Sequence, residues 1–154
     1  SFGEFAKRNN AVASTDVKSF EHLICTEQLS RRLGFKVGEE LIRVVRVRSL
    51  NGNARQVDHG YFLASIAKGL TPEIAADSIY GYLEHKRGVK VMASRRTVSV
   101  ELANDEDCSY LDLGKYNCVA VMESQSYTSD GILFEVTHTR THPEIFHYRV
   151  NSKR

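Results

Sequence analysis

The sequence predicts an α+β domain built on a mainly antiparallel sheet of about six strands flanked by helices. Two hairpin dipeptides and three helix caps carry that reading. Asn51-Gly52 separates ELIRVVRVRSL from ARQVDHGYFL, and Asp130-Gly131 separates YNCVAVMESQSYTS from ILFEVTHTR. Both dipeptides favour the positive-φ turns that match the right-handed twist of paired strands.

From the N-terminus, KSFEHLICT (Lys18 to Thr26) supplies one strand. Thr26 then caps a helix over EQLSRRLG that Gly34 ends. After the first hairpin, Thr71-Pro72-Glu73 is a threonine cap with proline in the first turn. SIYGYLEHKRG sets Ile79, Tyr82 and Leu83 at i, i+3 and i+4, which predicts about three helical turns from Ser78 to Gly88. VKVMASRRTVSVELA, from Val89 to Ala103, is rich in Val and Thr and reads as a further strand. Asn104 caps a last helix whose acidic run Asp105-Glu106-Asp107 complements the helix dipole and reads as a solvated face.

A chain of 154 residues is the size of one domain and buries enough surface to need no metal or disulfide. A net charge of +2, with the dibasic pairs Lys7-Arg8, Arg31-Arg32, Arg95-Arg96 and Lys153-Arg154 dispersed, argues against direct nucleic-acid binding by this chain. Its three cysteines, Cys25, Cys108 and Cys118, lack C-x-x-C spacing and read as buried free thiols. With no signal peptide and no apolar stretch near the ~18 residues of a membrane span, the expected setting is cytoplasmic. The chain opens on Ser1 rather than Met, which fits a partner domain outside it. Six histidines, with His138, His142 and His147 loosely grouped, show no metal-binding motif, so no metal or other cofactor is expected.

In the strand Leu41 to Ser49, Ile42, Val44, Arg46 and Arg48 share one face, and Leu41, Arg43, Val45 and Val47 share the other. Two largely apolar faces mark a central strand. Arginines on a covered face need anionic partners, because an unpaired buried guanidinium is costly. Arg46 and Arg48 are close enough along the strand to converge on one phosphate or carboxylate. The competing reading is internal: Arg46 and Arg48 pair with Asp58 or another internal carboxylate, or one of them snorkels to a sheet edge. Ser78 likewise either lends its hydroxyl to an anion or simply caps its helix.

Together these segments resemble the UTRA domain, the effector domain of the HutC subfamily of GntR-type bacterial regulators. The resemblance rests on Arg46-x-Arg48, Asn51-Gly52, Asp58 with Tyr61, Ser78-x-Tyr80, and Glu135, Arg140 and Phe146, and it runs through nearly the whole chain. It implies a chorismate lyase-like fold and a ligand-sensing role without catalysis. A separate N-terminal winged helix-turn-helix domain, absent from residues 1–154, would bind operator DNA, as part of a homodimer. Within the family, SFGEF, SIYGYLEH, NDEDCSYLDLGKY and the LFE strand are similar to trehalose operon repressors, which implies trehalose 6-phosphate as effector. The resemblance assigns phosphate to Arg46, Arg48, Ser78 and the backbone N–H groups of an opening loop at Phe2 and Gly3. It assigns the sugar to Asp58, Tyr80, Glu135 and Arg140. On this reading Arg46→Ala weakens binding and leaves the fold intact.

Three departures qualify the match. His142 and Glu144 replace an expected arginine and aspartate, Asp58 is shorter than the usual glutamate, and Glu135 and Arg140 share a pocket only if a bulge or the strand end lies between them. An alternative effector is another phosphosugar such as glucosamine 6-phosphate. Two other classes stay open: a chorismate lyase-like enzyme acting on a small anion, and a protein–protein module with structural arginines. Neither a nucleophile elbow nor a P-loop supports the enzyme.

Overall fold

The computed structural model describes residues 2–154. Its strands are β1 (Ala13–Ile24), β2 (Glu40–Leu50), β3 (Asn53–Leu63), β4 (Val91–Leu102), β5 (Cys118–Thr128) and β6 (Leu133–Thr141). Its helices are α1 (Phe2–Arg8), α2 (Glu27–Leu33), α3 (Pro72–Asp77), α4 (Ile79–Gly81) and α5 (Asp105–Tyr110). The strands form one antiparallel sheet in the order β1-β2-β3-β6-β5-β4. The two hairpins signalled by Asn51-Gly52 and Asp130-Gly131 therefore lie side by side at its centre, and the six-stranded α+β expectation holds.

The turns form for the reasons their residues suggest. Asn51 and Gly52 have φ of 50° and 80°, and Gly131 has φ of 76°. Only glycine and asparagine-like residues adopt such angles at low cost. The caps hold as well: Thr26 Oγ1 accepts from Leu29 N–H at 3.2 Å, and Thr71 Oγ1 from Ile74 N–H at 3.2 Å. Asn104 and Asp107 form a reciprocal capping box.

One irregularity decides the site. Ser49 pairs with Ala54 but Arg48 pairs with Gln56, which leaves Arg55 as a bulge in β3. The bulge shifts the register by one, so Arg46 faces Asp58. An unbulged two-residue hairpin would oppose Arg46 to Val57 and turn Asp58 to the other side of the sheet.

Side chains divide between two faces. The first carries Ile42, Val44, Arg46 and Arg48 of β2, and α3, α4 and the turn that follows α4 cover one end of it with Ala75, Ile79 and Leu83. The second carries Val45, Val47 and Val57, packed with Val119, Val121, Leu111 and Leu113 near α5. On the first face Gly60 lies beneath the Phe62 ring. An added Cβ would stand 2.7 Å from a ring carbon, so a side chain there would push the ring away.

Four local expectations change. The strand expected from Lys18 begins at Ala13, because its N-terminal half pairs with the far end of β2. The three-turn helix from Ser78 is a short α segment running into a π turn over Tyr82–Lys86, in which Arg87 N–H reaches the carbonyl of Tyr82. Of the cysteines only Cys25 is buried, where desolvation raises its thiol pKa, and Cys108 is exposed. Asp107 is fully buried rather than solvated, because it closes the capping box and also clamps Arg140.

Candidate ligand-binding site

Strand register assembles the site on the first face. Arg46 of β2, Asp58 of β3 and Thr139 of β6 are successive cross-strand neighbours; so are Ile42, Phe62, Glu135 and Ser126 across β2, β3, β6 and β5. Partners across a sheet share a face, so Arg46, Arg48, Asp58 and Glu135 project to one side.

Arg46 is committed internally. Its Nη2 donates to Asp58 Oδ2 and its Nη1 to the carbonyl of Ala75 at 3.2 Å, which ties the sheet to α3. The internal-carboxylate reading therefore holds for this arginine, and its removal would leave a buried carboxylate unpaired, which sets the geometry against an Arg46→Ala variant with an unaffected fold. Arg48 differs. It has no ion pair among the described residues, its guanidinium lies 4.8 Å from the centroid of the Phe2 ring, and its buried Nε has no acceptor. Burial, then the charge of Arg46, pushes its pKa down to about 10, against a smaller pull from Asp58.

Two carboxylate oxygens complete the picture. Asp58 Oδ1 and Glu135 Oε2 are buried without partners, as is Arg48 Nε. A buried polar atom left unpaired costs about 1–3 kcal/mol. Three of them on one face indicate a surface shaped for a polar ligand. Burial, then Asp58, pushes the Glu135 carboxyl up to about 7, with Arg46 and Arg96 opposing. Glu135 therefore offers a proton below neutrality and accepts one above it.

The remaining assigned residues fall at the rim or elsewhere. Ser78 Oγ accepts from Gly81 N–H at 3.0 Å, so it is a helix cap whose own hydroxyl proton remains free to donate. Tyr80 is half exposed, and burial, then the neighbouring Glu135, raises its phenol pKa. Phe2 and Gly3 lie in the first turn of α1 rather than in a loop.

Arg140 does not belong to the site. The β3–β6 register runs unbroken from Gln56–Thr141 to Phe62–Glu135, so no bulge reconciles Glu135 with Arg140. Arg140 projects from the second face, where Nε bonds Asp107 Oδ1 at 2.9 Å and Nη1 bonds Glu101 Oε1 at 3.1 Å. Arg140→Ala is expected to lower stability by about 2 kcal/mol, since a charged hydrogen-bond partner is lost from buried Asp107. Ligand affinity should not change, and parallel melting and titration experiments would register both.

The second face also holds a polar cleft, but its charges are matched internally. His138 Nε2 pairs with Glu123 Oε2 at 3.0 Å, and His59 pairs with Glu106. His142 is buried against Tyr116 at a ring separation of 5.0 Å, and burial lowers its pKa. Among the described residues no three His, Cys, Asp or Glu side chains are placed to hold a metal ion.

Sequence reading missed the floor between the named residues. Thr137 and Thr139 of β6 and Ser124 and Ser126 of β5 fall on the first face, and Arg96 of β4 pairs with Ser124. Arg96 acts electrostatically on both Glu135 and Tyr80. Period-2 counting from Glu135 finds the β6 threonines, but only the register of β4 and β5 brings in the others.

A floor of serine and threonine hydroxyls with an arginine that lacks an ion pair at one end has the chemistry to bind a polar, anionic ligand. The class agrees: residues 8–147 match the UTRA domain, and the chain belongs to that family of GntR-type transcriptional regulators. Among particular relatives, the HTH-type transcriptional regulator TreR of Bacillus subtilis (strain 168) is 28% identical over 148 residues, 96% of this chain and 62% of TreR. The chain thus spans less than two thirds of that relative. The solved effector-binding domain of the B. subtilis trehalose repressor (TreR) superposes with a TM-score of 0.83 at 27% identity, covering 92% of this chain and 98% of that one. The crystal structure of possible transcriptional regulator YydK from the same species shares the fold, with a TM-score of 0.83 at 24% identity over 92% of this chain and 62% of its own. No helix among the described residues is long and apolar enough to cross a membrane.

Proposed function

We propose that this domain senses a sugar phosphate, with trehalose 6-phosphate the favoured effector, for a cytoplasmic transcriptional repressor. Its operator-binding winged helix-turn-helix domain lies outside residues 1–154. The observation that carries the reading is that Arg48 Nε, Asp58 Oδ1 and Glu135 Oε2, all buried and unpartnered, belong to side chains on one face of the sheet. A phosphosugar supplies what each lacks: an anion for the arginine and hydroxyl donors for the carboxylates.

Arg48 holds the phosphate, with Arg46 fixed beside it and the Ser78 hydroxyl and the Phe2 and Gly3 N–H groups at the rim. Asp58, Glu135 and Tyr80 take the sugar. The similarity to a protein named as a trehalose repressor favours a disaccharide. The domain acts by binding, as part of a dimer. Effector favours one arrangement of the two DNA-binding heads only to the extent that it binds that arrangement more tightly.

Arg48→Ala tests the assignment. Loss of a charge-assisted phosphate contact should weaken trehalose 6-phosphate binding by about 1.5–3 kcal/mol, tenfold or more in Kd. Binding of unphosphorylated trehalose should be indifferent to it. Calorimetric titration showing equal affinity in both proteins would remove Arg48 as the phosphate anchor.

A further inference from the structure

The polar cleft on the second face of the sheet lies opposite Arg48, Asp58 and Glu135, and its volume of about 510 Å³ is within the range of small-molecule sites. Its floor is a cross-strand row of His59 on β3, His138 on β6, Glu123 on β5 and Thr97 on β4. Arg43 and Tyr61, themselves cross-strand partners, lie beside that row.

Charge is matched internally along the floor. His59 pairs with Glu106, His138 with Glu123, and Arg140 with Asp107 and Glu101. At the wall it is not. Arg32, in the last turn of α2, lines the cleft and has no carboxylate partner among the described residues; its Nη2 donates to the Tyr61 hydroxyl at 3.0 Å. Arg43 flanks the same ring, so that both guanidiniums lie 5.9 Å from its centroid. The ion pair of Arg43 is with exposed Glu21, and pairs of that kind contribute little. Tyr61, as an acceptor from Arg32, keeps its own proton to donate. Glu101 and Glu123 also line the cleft, but each already holds a cation, so neither neutralises Arg32.

We propose that this cleft is a second ligand site, for a small organic acid whose carboxylate or phosphoryl oxygens bond Arg32, Arg43 and the Tyr61 hydroxyl. Either group presents the compact anionic oxygens that a guanidinium fork holds two at a time. The remaining lining suits a hydrophilic body, since Thr97 and Ser99 offer hydroxyls and Val121 is the one aliphatic residue there. This site stands independently of the sugar-phosphate reading, because none of its residues serves the first face. The two sites share strands all the same: β3 and β6 turn Asp58 and Glu135 to one side and His59, Tyr61 and His138 to the other. An acid held on the second face therefore grips the strands that carry the effector carboxylates.

Residue-resolved NMR titration of the 154-residue chain tests this, with inorganic phosphate and citrate as probes at constant ionic strength. Saturable shifts at Arg32, Arg43 and Tyr61 are expected with at least one probe. A response to phosphate alone identifies a phosphoryl ligand, and a response to citrate alone a carboxylate. Arg32→Gln should raise the Kd read at these residues about tenfold or more, while Arg48→Ala should leave it unchanged. Arg32 is exposed, and an otherwise unaltered amide spectrum confirms that its variant is folded. Shifts confined to the neighbourhood of Arg48, shifts that grow without saturating, or second-face shifts that Arg32→Gln does not weaken would each overturn the second site.

Discussion

Arg46→Ala should lower the unfolding free energy of the domain by about 3–5 kcal/mol, whereas Arg48→Ala should leave it unchanged or raise it. The two residues are neighbours on one face and look equivalent in sequence. Their surroundings are opposite. Arg46 is buried in a bond to Asp58 and a second to the Ala75 carbonyl, so its removal strands a buried carboxylate and frees α3 from the sheet. Arg48 is half-buried beside a like charge with its buried Nε unsatisfied, so its removal relieves a cost. Denaturant unfolding of both variants decides it. Equal destabilisation would mean that Arg48 has an internal role and that the free guanidinium is not held in reserve for ligand.

The second large effect concerns Glu135 and has a definite sign. Its folded-state pKa of about 7 lies above the ordinary 4.5, so the native protein holds a proton through a range in which the unfolded chain has lost it. Stability from this group is therefore complete below about 4.5, falls as pH rises, and is lost above about 7. One pKa unit corresponds to ~1.4 kcal/mol, which makes the whole loss on the order of 3 kcal/mol. Glu135→Gln keeps the shape and removes the ionisation. The variant should match the parent near pH 4.5 and exceed its stability by about 3 kcal/mol at pH 8. Taking the difference between the two proteins cancels the titration of every other group. A difference that stays flat with pH would place Glu135 in a wetter setting than the one described.

The same substitution should weaken sugar binding, since Gln cannot accept hydroxyl protons on both side-chain atoms. Gained stability with lost affinity is the signature of a group retained for its ligand rather than for the fold.

Much of this was legible in the sequence for identifiable reasons. Asn51-Gly52, Gly131 and the capping residues Thr26, Thr71 and Asn104 act through local backbone chemistry and did what their types predict, whereas Asp130 turns its hairpin without a positive φ of its own. Alternation along β2 correctly put Arg46 and Arg48 together and made the strand central. The bulge at Arg55 was not legible, because nothing in Asn53-Ala54-Arg55-Gln56 distinguishes a bulged from a regular strand start. That one residue decides whether Asp58 meets Arg46. Arg140 was misassigned by family pattern although simple parity already set it against Glu135. Asp107 looked like a solvated helix terminus because its partner, Arg140, lies 33 residues away on another strand.

The most direct test of the central claim is thermal unfolding of the domain with trehalose 6-phosphate, trehalose, glucose 6-phosphate and glucosamine 6-phosphate in turn. A ligand that binds only the native state adds about 2.7 kcal/mol of stability at 100 times its Kd. Stabilisation by trehalose 6-phosphate, much reduced with trehalose or with either monosaccharide phosphate, is the predicted result. Stabilisation by none of the four would contradict a sugar-phosphate sensor built on Arg48, Asp58 and Glu135.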